Sequence, residues 1–308
     1  MQTSVAMTDV GRVRKVNQDY VYASDTPVGN LPNLYIVADG MGGHKAGDLA
    51  SSYAVQTIVE AISRSVETRP ALILQKAIRY ANYRLYEKSE EREEYHGMGT
   101  TLVVLTVYKD EALAANIGDS RLYEISQKQI RQISEDHSLV AELVRKGELS
   151  ATEARRHPDK NIITRALGIQ DEAQIDLFPF RVETGNRYLL CSDGLTNMVE
   201  DTELCRLISQ KKDISEIGAE LILRIVSSIG FPTDRFAWPD RAARRAATVR
   251  FGCRACASRF PDKPVTVRGR IRCLPKGDSA AIAGYRGRSL SAGRAGGAPR
   301  QSIASMWA

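Results

Sequence analysis

The pattern of apolar and polar positions predicts strands at the start of the chain and helices after them. "TSVAM", "DYVYAS" and "NLYIVAD" are short β-branched and aromatic runs separated by turn residues. Two segments with helical periodicity follow, over residues 44–64 and 70–89, and Pro70 suits the first turn of the second one. This part of the chain is therefore predicted to form three strands and two long helices.

A second group of strands is predicted in the middle of the chain. "TTLVVLTVY", "EALAANIGD", "SRLYEIS" and "QIRQIS" are closely spaced, which favours an antiparallel meander over βαβ crossovers. A polar excursion with short helices over 138–146 and 152–156 precedes two more strands, "IDLFPF" and "RYLLCSD". Helices over 202–210 and 214–229 follow. This order predicts an α+β fold, in which packed sheets are covered by helices.

Length and composition predict a soluble globular protein. The chain has 308 residues, 43% of them apolar, which is enough for a substantial core. It contains no run of about 20 uncharged apolar residues, the length that a membrane helix needs. The start, "MQTSVAMTDVGRVRK", lacks the layout of a secretory signal. We therefore expect a cytoplasmic protein that does not enter a membrane.

The charge of the chain changes sign near residue 230. Residues 1–230 contain 27 Lys+Arg and 33 Asp+Glu, a net charge of −6, whereas residues 231–308 contain 16 and 4, a net charge of +12. We therefore predict a folded domain over 1–230 and a basic, poorly ordered tail rich in Arg, Ala and Gly over 231–308. Arginine clusters can bind nucleic acid, but the aromatic residues of the tail are few and scattered, which argues against that function.

The cysteines do not form a convincing metal site. Cys253, Cys256 and Cys273 lie in the tail, and no histidine follows His157, so this group is one ligand short of a tetrahedral zinc site. Cys191 and Cys205 lie in apparent core segments, where cysteine behaves as a small hydrophobic residue. We interpret the tail cysteines as unpaired thiols.

Three apolar strands end in an aspartate that is followed by a small residue. These acids are Asp39 in "LYIVADG", Asp119 in "ALAANIGDS" and Asp193 in "RYLLCSDG". Mg²⁺ and Mn²⁺ prefer oxygen ligands, and several converging carboxylates can balance two such ions. A single Asp-Gly pair is more often a turn. Three acids of this kind at strand ends favour a metal site, in which a glycine after the acid lets a backbone carbonyl approach the ion.

An N-terminal segment carries candidate phosphate-binding residues. In "DVGRVRKVNQD", Arg12 and Arg14 would lie on one face of a strand, followed by Gln18 and Asp19. A guanidinium can bind a phosphate through two hydrogen bonds. A solvated charge on an edge strand is the simpler explanation for either arginine. Beside a metal site, a phosphate-binding arginine becomes the better hypothesis.

Seven motifs in order resemble those of a known family. They are "TDVGRVRKVNQD", "VADGMGGHKAGDLAS", "GMGTTLVVL", "NIGDSRLY", "ISEDHSLVAELVRKGELS", "HPDKNIITRALG" and "LLCSDGLTN". Together they are similar to the bacterial branch of the metal-dependent Ser/Thr protein phosphatases, the PPM or type 2C family. The resemblance covers residues 3–229. It implies a four-layer α-β-β-α sandwich of two antiparallel sheets with two Mn²⁺ or Mg²⁺ ions, and a third in bacterial members, at one edge.

The resemblance also implies roles for single residues. Asp39 resembles the acid that bridges the two metals, and Arg14 the residue that binds the phosphate. Where the family often has Glu, this chain has Gln18, which would act through water. The other implied metal ligands are the Gly40 carbonyl and the side chains of Asp193, of Asp19 beside Gln18, and of Asp119 at the third metal.

The implied reaction is hydrolysis of phosphoserine and phosphothreonine in proteins, which opposes a Ser/Thr kinase. A metal-bridging hydroxide attacks phosphorus in line, without a covalent phosphoenzyme. Eukaryotic relatives have a histidine as proton donor where this chain has Met41, so His44 or water would serve instead. Residues 139–170 resemble the mobile flap of the family, which influences substrate access. The expected partners are phosphoproteins and a cognate kinase, and the expected form is a monomer.

The resemblance ends where the charge changes sign. The family domain closes with a "G-G-x-D-N-I-T-V" segment, but after "LILRIVSSIG" this chain continues "FPTDRFAWPDR". We hypothesise a reading-frame change near residue 230. It would remove the final core strand and the last metal-ligand aspartate, for which Asp234 and Asp240 are no replacement. The alternative function is then a catalytically impaired module that binds phosphoproteins.

Overall fold

The computed structural model describes residues 3–10, 14–126, 129–228 and 249–253, and gives only the backbone for 43–45, 225–228 and 249–253. The strands of this part are β1 Thr3–Met7, β2 Asp19–Ser24, β3 Leu34–Met41, β4 Gly99–Thr100, β5 Leu102–Tyr108, β6 Glu111–Ile117, β7 Arg121–Ile125, β8 Ile130–Gln132, β9 Asp176–Arg181, β10 Arg187–Cys191 and β11 Val249–Cys253. The helices are α1 Gly43–Ser63, α2 Pro70–Glu90, α3 Leu139–Arg145, α4 Ala151–Arg156, α5 Asp193–Thr196, α6 Asp201–Ile208 and α7 Ile214–Ser228, with a 3₁₀ turn at Glu93–Tyr95.

The strands form two antiparallel sheets. One sheet has the order β1-β11-β10-β7-β8, and the other has the order β2-β3-β5-β6-β9 with β4 paired to β3. β5 pairs with β6 and β7 pairs with β8, as the meander pattern predicts, but β6 and β7 belong to different sheets, so the prediction of one continuous meander is wrong at that step. The crossing from one sheet to the other therefore occurs between Ile117 and Arg121, at the turn that carries Asp119.

The alternation of side chains along each strand builds four layers. In β3, Ile36 packs with α1 and α2, whereas Val37 packs between the sheets. In β10, Leu189 packs with α6 and α7, whereas Leu190 faces the other sheet. Each sheet is thus covered by helices on its outer face and by the second sheet on its inner face. The predicted α-β-β-α sandwich is confirmed.

The final strand of the sandwich is present, which corrects one sequence-based expectation. Val249–Cys253 lies between β1 and β10 and pairs antiparallel with both, for example Phe251 with Val5 and Leu189. Without β11 the facing edges of β1 and β10 would carry unpaired backbone groups, which are costly inside a sheet. A short segment of the basic tail therefore fills the position where we expected a missing strand.

Several other expectations fall on residues that the structure does not describe. They concern Arg12, Asp234, Asp240, Cys256, Cys273 and the rest of the basic tail outside Val249–Cys253. The domain boundary at residue 230 stays a prediction. In the part that is described, Cys191 is buried and Cys205 half-buried, and neither forms a disulfide. None of the described helices combines the length and the apolar character needed to cross a bilayer.

Candidate functional site

Two of the predicted acids lie on neighbouring strands. Asp39 occupies β3 near its end, and its direct partner in the register is Asp19, the first residue of β2. The Asp39 N–H donates to Thr101 Oγ1 at 3.0 Å, and the Asp39 carbonyl accepts from the Thr101 N–H at 2.9 Å. The backbone of Asp39 is therefore held from the β5 side, while its carboxylate shares the strand ends with that of Asp19.

The other two acids come from the opposite sheet. Asp119 lies in the turn between β6 and β7, and Asp193 is the first residue of the one-turn helix α5, directly after β10. Both are half-buried. Because β7 and β10 are hydrogen-bonded neighbours, with Arg121 opposite Cys191, the two acids leave the sheet at the same end.

The other three acids all act on the charge of Asp39. Burial raises the pKa of Asp39 well above its usual value, and Asp19, Asp193 and Asp119 raise it further, whereas Arg14 lowers it. Burial also raises the pKa of Asp119 to about 7, with a further contribution from Asp193. The acids at the three strand ends therefore act on one another electrostatically, and a cation site shared by them stays a prediction.

A close approach of backbone segments surrounds Gly40. Its N–H donates to the Gln18 carbonyl at 3.0 Å. A Cβ on Gly40 would collide with the carbonyl oxygen of Gly47 in α1. A Cβ on Gly47 would in turn collide with the Gln18 side-chain amide and would lie 2.7 Å from the Gly40 carbonyl oxygen. Only glycine fits at these two positions. Because Gly47 has no side chain, it leaves the Gly40 carbonyl oxygen uncovered on its side.

Arg14 lies at the edge of this site. The residue is exposed, and its Nη1 donates to Gln18 Oε1 at 2.8 Å. Its charge also acts on Asp39, since it lowers the pKa of that carboxyl group. Gln18 therefore holds the guanidinium beside the acids. Because the Gln18 amide is neutral, it does not offset the positive charge of Arg14.

Four polar residues that the sequence analysis did not single out support the acids. Ser192 Oγ donates to Asp19 Oδ2 at 2.8 Å, and Asn197 Nδ2 donates to Asp193 Oδ2 at 2.9 Å. The hydroxyls of Thr101 and Ser120 lie 2.7 Å apart and connect the backbone of Asp39 to the turn of Asp119. The sequence could have indicated Ser120 and Ser192, because each is next to a predicted acid.

The donor set fits a hard divalent cation, although the acids do not form a closed coordination shell. Within the described ranges, no three His, Cys, Asp or Glu side chains already stand in a metal-binding arrangement. The predicted ligands are carboxylates and the backbone carbonyl of Gly40, and oxygen is the donor that Mg²⁺ and Mn²⁺ prefer. The mutual repulsion that raises the pKa of Asp39 is what a bound cation would relieve.

The predicted proton donor is the one site residue whose position the structure leaves open. His44 lies in the first turn of α1, next to the N-cap Gly42, but its side chain is outside the described part. The other predicted site residues are placed at one end of the sandwich. They are Arg14, Asp19, Asp39, Gly40, Asp119 and Asp193.

Comparisons with known sequences agree on one family. A family model described as protein phosphatase 2C matches residues 11–224. A serine/threonine phosphatase stp of Listeria monocytogenes is 41% identical over 227 residues, which are 72% of this chain and 89% of that protein. The protein phosphatase PhpP of Streptococcus pneumoniae is 38% identical over 229 residues, 73% of this chain and 91% of that protein.

Solved structures give the same result. The serine/threonine phosphatase Stp1 of Staphylococcus aureus has a TM-score of 0.71 and 32% identity, covering 82% of this chain and 94% of its own. The catalytic domain of the serine/threonine protein phosphatase PstP, in complex with two manganese ions, has a TM-score of 0.68 and 28% identity. It covers 82% of this chain and 98% of its own.

Proposed function

Because this chain belongs to the protein phosphatase 2C family of serine/threonine phosphatases, we propose that it hydrolyses phosphoserine and phosphothreonine in proteins with the help of two divalent cations. The observation that supports this proposal is that Asp19 lies directly opposite Asp39 on neighbouring strands, while Asp119 and Asp193 both act on the pKa of Asp39. Its substrates are phosphoproteins, and the activity opposes that of a Ser/Thr kinase.

Each acid has a part in holding the cations. Asp39 is the most central of the four, because the other three all act on its pKa, and it is the residue that we assign to both ions. Asp19, Asp193 and the Gly40 carbonyl would help to hold the same two cations, and Asp119 would hold a third. When bound, the cations lower the pKa of water for in-line attack on phosphorus and neutralise the phosphoryl oxygens.

Arg14 binds the substrate phosphate. Its guanidinium is exposed, lies beside the acids and is oriented by Gln18 Oε1, so two of its N–H groups can meet two phosphoryl oxygens. This contact places the phosphorus over the carboxylate edge and adds positive charge where negative charge develops in the transition state. We assign the proton needed by the leaving serine or threonine oxygen to His44 or to water.

The test uses the full chain, p-nitrophenyl phosphate and a phosphothreonine peptide, with Mn²⁺ titrated from zero. We expect hydrolysis that requires Mn²⁺ and is abolished by chelation. Arg14→Ala should lower kcat/KM for the peptide by about 10–100-fold, because a hydrogen bond to a charged group is lost. Arg64→Ala is the matched control, since Arg64 is exposed and pairs with Glu60 on α1.

The alternative function, a phosphoprotein-binding module without activity, rests on one observation. The sequence offers no "D-N-I-T-V" before β11, so the last aspartate ligand of the family is absent from its usual place. Retention of the phosphothreonine peptide with no hydrolysis at any Mn²⁺ concentration would favour this alternative. Hydrolysis by the full chain would exclude it.

A further inference from the structure

A buried histidine next to the candidate site has no part in the proposed reaction. His137 follows β8, is 3% exposed, and has a partner at each of its ring nitrogens. Nδ1 accepts from the Gly118 N–H at 3.1 Å, and Nε2 lies 2.9 Å from Asp176 Oδ2. Because a backbone N–H can only donate, the proton of the neutral ring must be on Nε2, which donates to Asp176.

The contact with Gly118 holds the turn that carries Asp119. The His137 N–H also donates to the Gly118 carbonyl at 3.0 Å, so the two residues are joined in both directions. Gly118 has φ of +98°, and a Cβ there would lie 2.7 Å from the side chain of Thr101. The backbone of this turn is therefore unusual and tightly enclosed, and it depends on its partners for its shape.

The residues after Asp119 are held as well. Ser120 Oγ lies 2.7 Å from Thr101 Oγ1, and Arg121 donates from Nε and Nη2 to the Asp136 carboxylate, next to His137. His137 thus contacts Gly118 on one side of Asp119, and Asp136 contacts Arg121 on the other side. These contacts hold the chain on both sides of Asp119.

His137 is also joined to the base of the flap, residues 139–170. The Thr164 N–H donates to the His137 carbonyl at 2.8 Å. Arg165 Nη1 donates to Asp176 Oδ1 at 3.1 Å and lies 3.3 Å from His137 Nε2. The next residue, Ser138, caps helix α3, with which the flap begins. His137 therefore lies next to the start of the flap and contacts Thr164 and Arg165 near its end.

We propose that His137 is a positioning residue, which fixes the Asp119 turn in its cation-binding geometry through Nδ1 and joins that turn to the flap base through Nε2. The inference rests on the proposed function, in which Asp119 is a cation ligand. The alternative is a purely structural histidine that satisfies backbone groups and has no influence on cation binding.

Two isosteric variants separate the ring nitrogens. His137→Asn places a carbonyl oxygen near Nδ1 and keeps an acceptor for Gly118, whereas His137→Gln extends its amide toward Nε2 and keeps a donor for Asp176. We expect His137→Gln to weaken Mn²⁺ binding to the full chain by about tenfold, the usual effect of losing an outer partner of a ligand. His137→Asn should stay within about threefold of the unmodified chain, because the Gly118 contact remains. Titration calorimetry with Mn²⁺ alone measures both, and thermal melting without cation is recorded in parallel.

Combination with Asp119→Asn tests whether His137 acts through Asp119. If it does, His137→Gln has no further effect on Mn²⁺ affinity once Asp119 has been replaced. Equal effects of His137→Gln with and without Asp119 would overturn the inference and leave the proposed function intact. If the unmodified full chain binds no Mn²⁺, the proposed function fails and the inference fails with it.

The Asn variant keeps the test decisive if the Gln variant does not fold. A loss of Mn²⁺ affinity in His137→Asn as large as that of Asp119→Asn would then overturn the inference, because the Gly118 contact has been retained. Affinity within about threefold of the unmodified chain in His137→Asn, together with a loss of about tenfold in His137→Ala, which offers Gly118 no acceptor, would support it.

Discussion

Two clusters of charged side chains lie next to each other at one end of the sandwich. In one cluster acids lie near other acids, and in the other each acid is paired with a base. In the carboxylate cluster, which consists of Asp19, Asp39, Asp119 and Asp193, burial raises the pKa of Asp39 and the other three acids raise it further. In the paired cluster, the Asp136 carboxylate contacts the guanidinium of Arg121 at 2.6 Å, and Asp176 contacts both His137 and Arg165. The two clusters touch in sequence, because Asp119 and Arg121 are two residues apart.

This difference shows that an aspartate gains its role from its neighbours. Acids that face acids raise the free energy of the folded chain and attract a cation, whereas acids that face bases stabilise the fold and leave no charge for a ligand. The paired cluster also gives the carboxylate cluster its shape, since it holds the Asp119 turn. Stability is thus concentrated beside the site rather than within it.

The largest expected effect comes from Asp39→Asn. Hydrolysis should fall by about 10³-fold, because the residue assigned to both cations is lost. Without cation, however, the variant should melt at a higher temperature than the unmodified chain, since the amide removes a buried charge that other acids repel. Activity assays and calorimetric melting check the two halves of this prediction. Asp110→Asn in the exposed turn after β5 is the matched control, and a lower melting temperature for Asp39→Asn would break the contrast between the clusters.

The opposite result is expected in the paired cluster. Asp136→Asn leaves the partly buried Arg121 without its carboxylate and should destabilise the protein by about 3 kcal/mol. Urea unfolding at pH 7 without cation measures this change. Glu60→Gln removes the partner of an exposed ion pair with Arg64 and should cost at most about 1 kcal/mol. Equal effects of the two substitutions would show that the paired cluster has no special role in stability.

Much of this arrangement could be predicted from the sequence, for physical reasons. The period of two in "NLYIVAD" and "RYLLCSD" fixes which side chains face the helices and which face the second sheet. Strands that end at the same edge bring their terminal acids together, so Asp39, Asp119 and Asp193 could be grouped before any coordinates were known. The bounds of α1, α2 and α7 agree with the predicted ones to within a residue.

Other features depend on contacts that a linear pattern does not contain. "SEDHS" does not indicate that Asp136 contacts Arg121 or that His137 contacts Gly118, because both contacts join residues 15 to 19 positions apart. Helix α5 is a single turn, too short to form by itself, and its position follows from the end of β10. Strand β11 was missed because "VRFGC" is weak as an isolated strand, and its place is determined by the open edges of β1 and β10.

A smaller effect is expected where a neutral side chain supports the carboxylate cluster. Ser192→Ala removes the 2.8 Å hydrogen bond to Asp19 and should weaken Mn²⁺ binding by about tenfold. Stability should change by no more than about 1 kcal/mol, since one hydrogen bond is lost. Ser63→Ala, at the end of α1, removes a hydroxyl that bonds to the Val59 carbonyl and serves as the control. Unchanged Mn²⁺ affinity in Ser192→Ala would show that Asp19 does not need this contact or does not hold the cation.

The smallest effect concerns the pH dependence of the paired cluster. Burial lowers the pKa of His137, and Arg165 and Arg145 lower it further, while Asp176 opposes them. The unfolded chain, with a histidine pKa of about 6.5, therefore binds a proton more readily than the folded one. The stabilisation from the neutral ring is present above about pH 6.5 and is lost as the pH falls through the lower, folded pKa, with a slope of at most about 1.4 kcal/mol per pH unit. Asp39 and Asp119, whose pKa values are raised in the folded chain, contribute with the opposite sign over this pH range. The loss is therefore measured as the difference between urea unfolding of the cation-free chain and of His137→Asn from pH 7.5 to 5.5, since His137→Asn carries no titrating ring. If the free energy of unfolding depends on pH in the same way in the two proteins, protonation of His137 does not change stability. The ion pair with Asp176 would then offset the cost of the buried positive charge.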